Sequence, residues 1–228
     1  MSMEAASTSD SLSRFEQMRF GREVIRHEGE ALVALADRLH DEFCDAVDHL
    51  QQCQGSVIVT GMGKAGLVGQ KITATLASTG TNSHFLHPAE AILGDLGRIR
   101  SNDLVLALSF SGESEELVRL LPSLSQMKVK LVAITGKTDS SLAQAANVVL
   151  DLGPVQEACP NGLAPSTSTA SMMAIGDALA LVLSRMRQFT PEDFARFHPG
   201  GSLGRKLAKV EDVMRPLTEC RVASESLS

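Results

Sequence analysis

Four side chains able to move protons or balance charge stand beside runs of glycine and hydroxyl residues in this 228-residue sequence: Lys64, Glu116, Glu157 and His198. Glu116 follows Ser109-Phe110-Ser111-Gly112-Glu113-Ser114, where Ser109, Ser111 and Ser114 surround a glycine just ahead of a helical pattern. Neutral hydroxyl and amide donors at a helix start suit a phosphate monoester, because the unpaired N–H groups and the helix dipole both favour an anion. The plainer alternative is an N-cap, in which Ser111 or a neighbour satisfies the first helical amides. One serine would suffice for that, and three at this spacing favour the phosphate.

Lys64 belongs to Gly61-Met62-Gly63-Lys64-Ala65-Gly66. Glycines let a backbone approach a ligand, so Gly63 joins the candidate contacts, and a following helix again favours anions. The spacing is not that of a Walker loop. It does match G-x-G-x-x-G, but the next strand runs into His87-Pro88, with only Glu90 beyond it, where a dinucleotide site needs an acidic residue for the ribose. A tight turn carrying a surface lysine is the competing reading.

A second hydroxyl cluster, Ser166-Thr167-Ser168-Thr169, also enters a helix. Taken alone it reads as an N-cap run. Glu157 stands shortly before it in Glu157-Ala158-Cys159-Pro160, where a carboxylate could serve as a base, although an isolated glutamate is usually a solvated surface residue. His198 opens His198-Pro199-Gly200-Gly201, a run suited to a constrained loop. His27, His40 and His49 fall on an amphipathic N-terminal stretch and read as structural, while His84 and His87 flank the strand before Pro88.

The elements that must carry these groups alternate. From about Ser11 to Cys53 an apolar stripe through Ile25, Leu32, Leu39, Phe43, Val47 and Leu50 predicts one long helix or two, with Gly21 and Gly29 as candidate breaks. Strands follow at Ser56–Thr60, Asn82–Leu86, Asp103–Ser109, Lys130–Thr135 and Val148–Leu152, separated by helical patterns, and Thr167–Arg187 is a strong apolar helix. Strands apolar on both faces imply a parallel sheet covered on both sides. The expected fold is α/β: a three-layer α/β/α sandwich on a mostly parallel five-stranded sheet, doubly wound like flavodoxin.

Composition narrows the partners. A net charge of −6 argues against surfaces that collect nucleic acid or anionic membrane. The four cysteines, Cys44, Cys53, Cys159 and Cys220, show no CxxC pairing and read as free thiols. The N-terminal residues lack a signal-peptide profile, and no apolar run reaches the about 18 residues of a membrane span, so a cytoplasmic location is expected.

Together with Ala77-Ser78-Thr79-Gly80-Thr81, His87-Pro88-Ala89-Glu90-Ala91, Gly94-Asp95-Leu96-Gly97, Leu163-Ala164-Pro165 and His198-Pro199-Gly200-Gly201-Ser202-Leu203-Gly204, these motifs resemble the D-arabinose 5-phosphate isomerase (KpsF/GutQ) group of the sugar isomerase, or SIS, family. The resemblance runs from about Phe20 to Leu207. It implies a tetrameric cytosolic enzyme that converts D-ribulose 5-phosphate to D-arabinose 5-phosphate for lipopolysaccharide sugar synthesis, and no cofactor or metal is expected in this sequence. It puts Lys64, Glu116, Glu157 and His198 in the active site, the hydroxyl clusters around the phosphate, and His198 in the site of a neighbouring subunit. Glu157 is then the base, Lys64 the phosphate or oxyanion partner and His198 the acid.

Two positions depart from the family pattern. Leu93 stands where a histidine is common, and Val210-Glu211-Asp212-Val213-Met214-Arg215-Pro216 resembles the start of a nucleotide-sensing CBS module although the sequence stops at Ser228. The expected organisation is a flexible segment over 1–19, the SIS domain over 20–209 and a tail over 210–228. A non-catalytic sugar-phosphate sensor, or an SIS isomerase for another phosphosugar, are the competing functions.

Overall fold

The computed structural model describes residues 12–198 and 214–220. A capping box starts the first helix, α1 (Arg14–Ala36): Ser13 Oγ accepts the amide of Glu16, and the Glu16 carboxylate accepts the amide of Ser13 at 2.8 Å. Residues 14–19, expected to be flexible, are therefore the first turns of a helix. The chain breaks between α1 and α2 (Asp41–Gln52), and not at Gly21 or Gly29. Both glycines lie on solvent-facing positions of α1, where each costs about 1 kcal/mol against alanine but leaves the helix intact.

The alternation that follows is β1 (Val57–Gly61), α3 (Gly63–Ser78), β2 (Ser83–Leu86), α4 (Pro88–Ile92), β3 (Leu104–Leu108), α5 (Glu115–Gln126), β4 (Lys130–Thr135), α6 (Ser141–Ala145) and β5 (Val148–Asp151). The chain then forms α7 (Thr167–Met186) and α8 (Pro191–Phe197). All the strand pairings are parallel, in the order β2-β1-β3-β4-β5. Successive strand residues point to opposite faces. Val59, Leu106, Val132 and Ile134 pack against α2, α3 and α7 on one side, and Ile58, Val105, Leu131 and Ala133 pack against α5 and α6 on the other. This is the expected three-layer, doubly wound sandwich.

The order of the strands fixes where a ligand can sit. From β1 the chain crosses to β2 on one side and returns to β3 on the other, so the crevice between β1 and β3 is the topological switch point. The carboxyl ends of these neighbours, Gly61 and Leu108, are directly paired. The Gly61–Gly66 turn and the Ser109–Ser114 loop leave from those two ends.

Helix α7 lies beside α3 and runs parallel to it. Gly176 meets the side chain of Ile72, Lys71 pairs with Asp177, and Arg187 reaches the α3–β2 turn. A Cβ on Gly176 would overlap Ile72, so only glycine permits this separation. Arg187 closes the far end, donating to Gly80 O at 3.0 Å, Thr81 Oγ1 at 2.6 Å and Gln51 Oε1 at 3.1 Å. Helix α7 is long and apolar enough to cross a membrane, but half of it is buried inside this domain, with Leu179, Ala180 and Leu183 fully enclosed.

Candidate active site

Counting back equally along α3 and α7 from the Gly176–Ile72 contact brings Thr167 level with Gly63. The start of α7 therefore stands beside the Gly61–Gly66 turn, at the carboxyl edge of the sheet. Lys64 follows β1, Ser109 to Ser114 and Glu116 follow β3, and Glu157 lies beyond β5, before α7. Three of the four candidate proton-moving groups thus come to one edge of the sheet.

The serine loop is braced from within. Ser109 is 3% exposed, and its Oγ accepts the amide of Gly112 at 3.1 Å and lies 3.0 Å from Ser114 Oγ. Gly112 has φ of +66°, in the left-handed region, and a Cβ there would strike Ser140. Ser111 Oγ accepts the amide of Glu113 at 3.2 Å and otherwise faces solvent. Ser114 is the N-cap of α5, yet no side chain caps that helix. The competing explanation for the serines therefore fails, because their hydroxyls hold the loop and leave the first amides of α5 open to an anion.

Glu113 shows how a carboxylate can belong to such a loop. It turns away and accepts the amide of Ser141 at 2.6 Å and the hydroxyl of Ser141 at 2.9 Å. Sequence reading assigned Glu113 no role, and its partner lies 28 positions away. Glu116, half-buried in the first turn of α5, joins none of the ion pairs among the described residues, and neither does exposed Lys64. Lys64 follows Gly63, whose φ of +55° opens the turn into α3.

The second hydroxyl cluster is arranged differently. Its backbone amides hold Glu157: Oε2 accepts from Ser166 N at 2.7 Å, Thr167 N at 2.8 Å and Ser168 N at 3.4 Å. A carboxylate thus occupies the place an incoming phosphate would need at these N–H groups. Thr167 and Ser168 are buried, and Thr169 Oγ1 donates to Ser166 O at 2.8 Å. Ser166 Oγ and Thr167 Oγ1 are enclosed without a hydrogen-bond partner among the described residues. All three bonds to Glu157 use one oxygen, and Oε1 has no partner among the described residues. One carboxylate oxygen is fixed, and the other is available for a proton.

Cys159 stands two residues beyond Glu157. The amide of Ala164, at 3.1 Å from Sγ, and that of Leu163, at 3.0 Å, hold its thiol below the usual cysteine range. Burial instead pushes the Cys53 thiol up. All four cysteines are free. His84, on β2, has its Nε2 buried without a partner among the described residues, and burial, aided by the positive charge of Arg98, lowers its pKa from 6.5.

His198 lies elsewhere. It ends α8, with Nδ1 2.9 Å from Phe194 O and its ring stacked on Phe194 at 3.8 Å. Phe197, beside it, stacks on Phe189, whose ring rests against Gly80. These contacts put the end of α8 at the amino edge of the sheet, one α7 length, roughly 30 Å, from Glu157 in the same chain. Pro199 to Gly204 and Val210 to Val213 lie outside the described residues. Leu93 is 82% exposed at the end of α4. Among the described residues, no group of three His, Cys, Asp or Glu side chains is arranged to hold a metal.

A parallel sheet of this order, with an uncapped helix start and an anchored carboxylate at its carboxyl edge, defines a doubly wound domain built to bind a small ligand. The chain belongs to the SIS family, because the SIS domain model matches residues 49–182. It is 50% identical over 196 residues to the arabinose 5-phosphate isomerase KpsF of Escherichia coli, covering 85% of this chain and 62% of that one. It is 48% identical over 201 residues to the arabinose 5-phosphate isomerase KdsD of Salmonella typhi, covering 88% and 61%. An Escherichia coli CFT073 protein solved in complex with A5P superposes with a TM-score of 0.80 at 38% identity, over 82% of this chain and all of that one. The chain spans about 60% of the length of such curated relatives.

Proposed function

We propose that this chain is an aldose–ketose isomerase interconverting D-ribulose 5-phosphate and D-arabinose 5-phosphate. The observation that carries the reading is Glu157, anchored through Oε2 and without a partner at Oε1 among the described residues, at the same sheet edge as the uncapped start of α5. The phosphate binds at the Ser109–Ser114 loop and the first amides of α5, with Lys64 supplying the positive charge that the acidic chain otherwise lacks there. The names of the relatives at 48–50% identity, and the A5P bound by the solved relative, support the choice of substrate.

In this reading Glu157 Oε1 takes the proton from C1 of the ketose, which is open-chain because its O5 carries the phosphate. The electron pair moves into an enediolate, the carboxylic acid exchanges its proton with solvent, and a solvent-derived proton is delivered to C2, giving the aldose. Lys64 faces the developing oxyanion. Glu116 lines the site beside the phosphate loop. His198 transfers the hydroxyl proton in the site of a neighbouring subunit, since roughly 30 Å separates it from Glu157 of its own chain. A homotetramer in the cytoplasm, supplying a lipopolysaccharide sugar precursor, follows from the same family reading.

The test is isomerisation of ribulose 5-phosphate in deuterium oxide. Arabinose 5-phosphate labelled at C2 is the expected product, and binding without exchange or product would replace the enzyme with a sugar-phosphate sensor.

A further inference from the structure

The loop carrying Glu157 is joined by hydrogen bond to only one element other than α7 among the described residues. That bond runs from His27, in the middle of α1, to the backbone carbonyl of Gln156 at 2.7 Å, across 129 positions of sequence. A carbonyl only accepts, so Nε2 must carry the hydrogen. The remaining hydrogen bonds of residues 154–165 stay within the loop or run to the first turn of α7. The loop is not packed flat against α1 here: a cavity of about 310 Å³ lies between Phe20, Val24 and His27 on one side and Gln156, Glu157 and Cys159 on the other. With open space beneath it, the peptide preceding Glu157 is held toward α1 by the imidazole.

We infer that His27 is a positioning residue for Glu157, fixing the peptide next to it so that Oε2 stays on the α7 amides and Oε1 keeps one direction. The inference rests on the reading of Glu157 as the base. It assigns a specific task to α1, which otherwise contributes a single buried residue, Leu35, to the core. His27 touches no substrate in this arrangement and acts only through the loop.

Two variants separate positioning from mere packing. His27→Ala removes the donor, whereas His27→Gln offers an amide N–H at similar reach. In His27→Ala, kcat for the pentose phosphate should fall about tenfold, with KM within about twofold, while the loss of one net hydrogen bond should lower the melting temperature by no more than about 2–4 °C. Hydrogen exchange at the amides of Ser166, Thr167 and Ser168 should quicken by a similar factor. His27→Gln should restore both. The inference is overturned if exchange is unchanged in His27→Ala, or if His27→Gln exchanges as fast as His27→Ala. The exchange measurement decides this even if the wild-type protein turns over no sugar phosphate, an outcome that would retire the isomerase reading alone.

Discussion

Glu157 Oε2 lies 2.8 Å from the amide nitrogen of Thr167, so the candidate base is also the cap of α7. One side chain thereby ties the loop after β5 to the longest helix of the core. The two roles can be separated by substitution, because an amide can still accept the N–H bonds but cannot carry the proton.

Glu157→Gln should keep the melting temperature and ligand binding near wild type while lowering kcat by about a hundredfold or more, the range lost with a general base. Glu157→Ala should in addition lose the cap, worth about 1 kcal/mol, or about 2–4 °C in melting temperature for a domain of this size. Steady-state kinetics and calorimetry on both variants check this. Retained turnover in Glu157→Gln would mean that the base is elsewhere.

The distance between His198 and Glu157 in one chain predicts complementation. Separately purified His198→Ala and Glu157→Gln proteins should each be nearly inactive. After they are unfolded together and refolded, mixed assemblies should regain turnover, because some sites then combine an intact Glu157 with an intact His198. Mixtures as inactive as their parents would show that the site is not shared.

The α3–α7 contact is narrow enough to measure. Gly176→Ala puts a methyl group onto Ile72 and should destabilise the fold by about 1–3 kcal/mol. In an Ile72→Val background, which lacks the Cδ1 atom, the penalty should shrink. An equal loss of melting temperature in both backgrounds would count against this packing.

His84 supplies a pH dependence. Its folded-state pKa lies below 6.5, chiefly through burial, so the folded protein binds fewer protons than the unfolded chain as pH falls past that value. Its contribution to stability is complete above about pH 6.5 and is lost as pH drops through the folded pKa. The melting temperature should therefore decline less between pH 7 and pH 5 in His84→Gln than in wild type. Parallel declines would remove His84 from the account.

The fold was legible in the sequence because buried parallel strands are apolar on both faces: Leu104–Leu108 and Lys130–Thr135 announced themselves without any partner. The serine loop and the Gly61–Gly66 turn were legible too, since glycine and hydroxyl runs at strand ends have few other uses. The break after α1 was misplaced for a physical reason. A solvent-facing glycine costs a helix only about 1 kcal/mol, and the capped 23-residue α1 carries that cost at Gly21 and Gly29 without ending.

The sequence by itself determined the types of group available: a serine loop for an anion, a lysine, carboxylates and an imidazole. Only the tertiary structure decided their company. It assigned the α7 amides to Glu157, turned Glu113 toward Ser141, joined His27 to Gln156, and carried His198 to the opposite edge of the sheet. The contacts of Glu113 and His27 join residues far apart along the chain and the place of His198 follows from helix direction, and local residue pattern encodes neither, because packing in three dimensions sets them both.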